Sequence, residues 1–358
     1  MRAVAVLVAL AVLAVGCTGS PDSGGAAPGA SSGTSAPSAQ PSEPPSSAQP
    51  SEPSPTPPAA AKPVPPHPVS LPALFDKRYD GRRLRLGDVV VVTDAYTQRD
   101  VTFRSDGLTI SGQMLLPRGR GPFPVLVLAH GYIDPAVYVT GQGLRREQDW
   151  LARDGYAVLH VDYRNHAGSD RDPRADLRLR LGYTVDVVNA VRAVRRSGLR
   201  RLDAERVGLL GRSMGGGVVY NVLTAAPGLV DAAVVFAPVS SRAGDNFNRW
   251  IRDDPGRAGL SQQIIRAYGA PEANRRFWRA ASPRSYFERI TEPLLIHHGT
   301  ADESCPIRWS RASLEALERS GVDARMFTYP GEPHAFIEAW PTSMRRTVRF
   351  FERHLDER

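Results

Sequence analysis

Two textures divide the chain. From about Leu84 onward, short apolar runs alternate with longer stretches whose apolar positions recur every three or four residues. The runs at 124–129, 157–161, 207–210, 232–236, 294–297 and 325–328 are continuous, as expected of strands buried on both faces of a parallel sheet. Helical spacing between them predicts helices over 146–153, 185–196, 216–224, 310–319 and 342–354. Two earlier segments, 101–104 and 108–116, separated by the turn Ser105-Asp106-Gly107, predict an opening antiparallel pair. Strand alternating with helix implies an α/β fold, a mostly parallel, doubly wound sheet with right-handed crossovers. The alternation lapses at 240–290, where helical patterns at 261–268 and 273–280 predict a small insertion over one end of the sheet.

The first seventy residues read differently. Residues 18–70 hold 15 of the chain's 31 prolines and 12 serines, and no Phe, Tyr or Trp precedes Phe75. Such a segment buries too little apolar surface to offset its chain entropy, so residues 17–70 are expected to be a disordered linker. That leaves 71–358, enough for one large domain out of 358 residues. Arg2 followed by the apolar run 3–15 has the charged start and short core of an export signal, residues 1–16, and is too short to span a bilayer. The run ends Leu13-Ala14-Val15-Gly16-Cys17, which resembles the bacterial lipoprotein signal. Leu13 stands one place before the family's usual apolar position, which Ala14 fills. The resemblance implies lipidation of Cys17, an extracytoplasmic location and membrane attachment through the N-terminal lipid. The alternative is a secreted protein.

Charge adds less. The net charge is +8, and residues 1–70 (Arg2 and Lys62 against Asp22, Glu43 and Glu52) sum to −1, which leaves +9 on 71–358. Arginine supplies nearly all of it, because Lys62 and Lys77 are the chain's lysines. The arginines are scattered and no nucleic-acid motif accompanies them, so a solvated basic surface without a nucleic-acid partner is expected. Two cysteines, one at position 17, exclude a disulfide scaffold.

Candidate chemistry gathers where strands end. Gly211-Arg212-Ser213-Met214-Gly215 follows the apolar run 207–210 and opens a helical pattern, the form of a nucleophile elbow. The pentad alone is a weak signal; its placement between strand and helix strengthens it. Ser213 needs a base. Of the eight histidines, His334 lies in a loop constrained by Pro330, Gly331 and Pro333, just past the strand 325–328, and is the best placed. The imidazole needs an acid to hold its tautomer. Asp302 stands just beyond the strand 294–297, with Glu303 as a neighbouring competitor. Oxyanion donors are expected from the Met214 backbone N–H and from the His130-Gly131-Tyr132 loop, where Tyr132 has an N–H and a phenol to offer. His297 and His298 would point to opposite faces of a strand, and there is no His-Glu-x-x-His, so neither a metal nor another cofactor is expected.

These stretches, together with Val161-Asp162-Tyr163-Arg164 and Ser282-Pro283, fall in the order found in the α/β-hydrolase fold. From about residue 100 to 355 the chain resembles the catalytic domain of prolyl oligopeptidase-type (S9) serine peptidases. The resemblance implies Ser213 as nucleophile, Asp302 as acid and His334 as base, with a small peptide or ester as substrate. Three features depart from the pattern. No propeller-like segment precedes the domain, the loop reads His-Gly-Tyr where His-Gly-Gly is commoner, and Cys305 stands where Val is frequent. Single-domain relatives without a propeller include esterases of the dienelactone-hydrolase and acetylxylan-esterase kinds. Peptidase, small-ester esterase and a non-catalytic surface lipoprotein therefore stay open at this point, and the sequence does not address oligomeric state.

Overall fold

The protein is described here by a computed structural model covering residues 65–356. The signal segment 1–16, Cys17 and most of the linker lie outside these residues. The domain is built on a nine-stranded sheet whose spatial order is β1-β2-β3-β5-β4-β6-β7-β8-β9. The strands are β1 (Arg82–Val92), β2 (Tyr96–Ser105), β3 (Leu108–Pro117), β4 (Phe123–Ala129), β5 (Ala157–Val161), β6 (Leu202–Arg212), β7 (Ala232–Phe236), β8 (Leu294–Gly299) and β9 (Ala324–Tyr329). The first three form an antiparallel meander, β3 meets β5 antiparallel, and every later pairing is parallel.

The continuous apolar runs are the central strands. Val125 to Ala129, Ala232 to Phe236 and Val207 are fully buried, because helices cover both faces. The flanking helices are α1 (Pro72–Phe75), α2 (Arg145–Arg153), α3 (Leu181–Arg195), α4 (Met214–Ala225), α8 (Ile307–Arg319) and α9 (Trp340–Asp356). The 240–290 insertion carries α5 (Ala243–Phe247), a π turn (Asn248–Arg252), α6 (Ala258–Tyr268) and α7 (Arg275–Ala280). The strand order reverses at β4, which lies between β5 and β6. In open α/β sheets the crevice beyond such a reversal receives the ligand.

The structure corrects several expectations. The folded part begins before residue 71: Ser70 is fully buried and Val69 nearly so, and the His67 ring packs edge-on against Phe277 and Tyr268. Sequence pattern missed β1 because it is a sheet-edge strand, largely exposed, with Val89 to Val92 facing solvent. The run 325–328 belongs to the opposite edge strand, β9, and is not buried on both faces. Helix α4 starts at Met214, two residues before the expected 216, since Gly215, Gly216 and Gly217 hide a helix start from propensity.

Candidate active site

Ser213 occupies the sharp bend between β6 and α4, with φ 57° and ψ −120°. A non-glycine residue with positive φ is strained and persists only where its surroundings hold it. Here the Ser213 N–H donates to the Phe236 carbonyl (2.9 Å), and its own carbonyl accepts from Val239 N–H (3.1 Å). The two glycines of the pentad follow from packing. A Cβ on Gly211 would sit 2.4 Å from the Gly215 carbonyl oxygen, and one on Gly215 would sit 1.9 Å from that of Ala129. The bend thus brings α4 against the end of β4 and leaves the serine at the N-terminus of a helix, where partial positive charge concentrates.

Asp302 follows β8 in a turn that aims its carboxylate. Oδ1 accepts the backbone N–H groups of Cys305 (2.7 Å) and Ser304 (2.9 Å), while Oδ2 lies 2.8 Å from His334 Nδ1 and 3.2 Å from His298 Nε2. Burial by itself would raise this carboxyl, but hydrogen bonds from His298, His334 and Cys305 bring it well below the ordinary carboxylate range. An ionised carboxylate only accepts, so Nδ1 of His334 donates and the neutral ring keeps the lone pair on Nε2. Glu303 does not compete for the ring: its Oε2 accepts the His334 backbone N–H (3.2 Å).

Ser213 and His334 line the same cleft, of about 750 Å³. Among the described residues no hydrogen bond joins them, and Ser213 Oγ lies 3.9 Å from Cys305 Sγ. Bonds of this kind are often loose without substrate and tighten when it binds. Cys305 is fully buried, and burial beside the Asp302 charge pushes its thiol up to about 12, which suits a small packing group better than a nucleophile.

The His130–Tyr132 loop closes the other side. A Cβ on Gly131 would fall 3.2 Å from Ser213 Cβ, so the loop backbone abuts Ser213. The Tyr132 ring lines the cleft, with the guanidinium groups of Arg180 (4.7 Å) and Arg257 (4.8 Å) packed near its centroid. From the insertion, Phe247 and Trp250 reach the cleft. Phe277 and Trp278, also from the insertion, are buried in the core beside Tyr268 and Phe247.

Several supporting residues escaped the sequence. Arg212, the variable residue of the pentad, pairs with buried Glu147 and donates to the Ala335 carbonyl (3.2 Å). Arg146 reaches the same carbonyl (2.7 Å), and Trp340 Nε1 donates to Glu147 (2.9 Å). Glu332 accepts from the Ala339 and Ile337 N–H groups, so the histidine loop is tied at both ends. The His298 Nε2–H is shared between the Cys305 carbonyl (2.8 Å) and Asp302 Oδ2 (3.2 Å), and Nδ1 accepts from Ser310 (2.7 Å). Arg249 of the insertion donates to the carbonyls of Ser304 (2.7 Å) and Glu303 (2.9 Å). Most of these partners are 50 or more positions apart in sequence, so spacing carried no signal.

A serine on a strained strand–helix bend, beside an Asp–His pair at the carboxyl ends of parallel strands, places the molecule among the serine hydrolases of α/β-hydrolase fold. Residues 142–358 match the prolyl oligopeptidase family of peptidases, to which the chain belongs. Over 240 residues it is 27% identical to the uncharacterized peptidase YuxL of Bacillus subtilis, covering 64% of this chain and 34% of that protein. It is also 27% identical to the acylamino-acid-releasing enzyme of Rattus norvegicus over 250 residues, covering 67% and 32%. The chain therefore spans about a third of the length of these curated relatives. Two solved structures share the fold. An acylaminoacyl peptidase from Pyrococcus horikoshii superposes with TM-score 0.59 at 23% identity, over 74% of this chain and 43% of that one. An acetyl xylan esterase from Paenibacillus sp. R4 superposes with TM-score 0.60 at 21% identity, over 80% and 92%.

Proposed function

We propose that this hydrolase cleaves short peptides through an acyl-enzyme formed on Ser213, with His334 as base and Asp302 as its orienting acid. The observation that carries the reading is the 2.8 Å contact of His334 Nδ1 with an ionised Asp302, in the cleft that also holds Ser213. His334 Nε2 takes the hydroxyl proton as Oγ attacks the substrate carbonyl carbon. The oxyanion meets the Met214 N–H at the start of α4 and the backbone of the Gly131–Tyr132 loop. The C–N bond then breaks, the leaving amine receives the proton from His334, and a water activated by the same ring releases the acid. A cleft of about 750 Å³ accommodates more than an acetyl group, which favours a peptide over a minimal ester.

Small-ester hydrolysis is the second reading. It draws on the acetyl xylan esterase similarity, which extends over 92% of that enzyme. Parallel assays of aminoacyl anilides and p-nitrophenyl esters separate the two. A kcat/KM that favours the anilides after correction for leaving-group reactivity supports the peptidase; activity confined to the esters assigns the second reading. Failure of a fluorophosphonate to label Ser213, with neither substrate class hydrolysed above the Ser213→Ala background, would remove both and leave a non-catalytic binding protein.

Extracytoplasmic anchorage through Cys17 belongs to the same proposal and rests on residues 2–17. Cys17→Ala is expected to shift the protein from the membrane fraction to the medium. Unchanged partitioning rejects lipidation.

A further inference from the structure

A second cleft, of about 510 Å³, shares no lining residue with the active site. Its walls include Ala225, the last residue of α4, whereas Ser213 precedes the first. A 12-residue helix is about 18 Å long, so the two sites sit at opposite ends of α4. Five cations line this cleft: Lys77, Arg192, Arg195, Arg196 and Arg289. Among the described residues no carboxylate does.

Helix ends account for part of this charge. The carbonyl termini of α3 and α4 each present roughly half a negative charge. Arg192 and Arg195 stand in the last turn of α3, and Arg289 Nε donates to the Thr224 carbonyl of α4 (2.8 Å). Asp106 contributes one more negative charge through Lys77 (2.8 Å). The buried Glu292 carboxylate, which accepts the N–H of the wall residue Gly228 (2.7 Å), adds a third, so five cations against roughly three negative equivalents leave an excess of about two. Their donors are not used up either. Arg195 is exposed, and Arg192, stacked over Tyr79 at 5.4 Å, has its buried Nε without a hydrogen-bond partner. Arginine forks match the geometry of phosphate oxygens and bind them bidentately.

We infer that this cleft is a binding site for a phosphate-bearing anion, set apart from catalysis. It gives a location to part of the positive charge that the sequence left unassigned. The ligand's phosphate can come from a soluble phosphorylated compound or from the headgroup of an anionic phospholipid, and the same residues would hold either. The inference does not depend on the hydrolase mechanism.

The test uses the full chain with two probes at low ionic strength: inorganic pyrophosphate by calorimetry, and phosphatidylglycerol vesicles against phosphatidylcholine vesicles by co-sedimentation. Arg195→Glu changes an exposed side chain in the cleft; Arg311→Glu makes the same charge change on an exposed position of α8. Binding of pyrophosphate, or a preference for phosphatidylglycerol, weakened about tenfold by Arg195→Glu and not by Arg311→Glu, supports the site. Pyrophosphate binding assigns a soluble ligand, and a vesicle preference without it assigns a headgroup. Arg192→Gln should weaken the same probe, with ester hydrolysis unchanged in both cleft variants. The inference is overturned if neither probe binds above the phosphatidylcholine background, or if both charge reversals weaken binding equally.

Discussion

Two groups of histidines stand at the carboxyl ends of the parallel strands and have opposite surroundings. His334 lies in a loop, partly open to the cleft, with its Nδ1 on the Asp302 carboxylate. His130 and His160, at the ends of β4 and β5, are fully buried, stacked on each other at 5.5 Å and walled by Tyr138 and Tyr163. Burial pushes both of these down to about 3, and both His160 nitrogens lack a hydrogen-bond partner. The side chain is the same and its use differs. Access to the cleft with a carboxylate in hydrogen-bond contact suits a ring to carry a proton, whereas full enclosure keeps the ring neutral as packing, even with Asp162 Oδ1 3.9 Å from His160 Nδ1.

The largest effects should come from the first group. Ser213→Ala is expected to lower kcat by about 10⁴-fold or more, and Asp302→Asn by roughly 10³–10⁴-fold, read by steady-state assay. Glu303→Gln, which touches only the His334 backbone, should cost less than about tenfold. Equal losses at 302 and 303 would erase the distinction drawn between the two acids. Next in size is the brace behind the loop. Glu147→Gln leaves the Arg212 guanidinium buried without its counter-charge and should cost about 3–5 kcal/mol of stability in urea unfolding.

The second group should govern acid stability. In the unfolded chain imidazoles take up protons near pH 6.5, while in the folded protein His130 and His160, joined by the equally buried His297 of β8, resist protonation down to about pH 3. Their contribution is complete above pH 6.5 and falls as pH drops toward 3, on the order of 1 kcal/mol per pH unit for each ring. Asp302, lowered in the folded state, adds a loss of the same sign further down, as pH falls through and below the ordinary carboxylate range. His160→Leu should flatten the upper part of this decline and leave kcat/KM at neutral pH unchanged. A steeper decline would mean that the ring is charged where it sits. The smallest expected effect is Trp250→Ala, a severalfold change in substrate preference with kcat for a small ester retained. No change in preference would make Trp250 a packing residue, paired with Trp309.

Much of the fold was legible because its signals are local. Buried parallel strands are continuous apolar runs, helices repeat every three or four residues, and the pentad's glycines record contacts within a single bend. Asp302 and His334 were legible as loop residues just beyond strand ends. The edge strand β1 was not, since an exposed strand owes nothing to a buried face. Nor was the start of the domain, because residues 67–70 are ordered by surfaces supplied from 268 to 280.

The sequence by itself determined the class of fold, the bend that presents Ser213 and the two loops that carry an acid and an imidazole. Tertiary structure alone decided which carboxylate faces the ring, which histidines stay neutral, and that Arg212 and Glu147 brace the loop across the sheet. It also gathered Lys77, Arg192, Arg195, Arg196 and Arg289 into one cleft. The physical reason is range. Backbone preference and burial pattern act within a few residues, whereas charge, desolvation and partner choice depend on neighbours that only the order of the strands brings together.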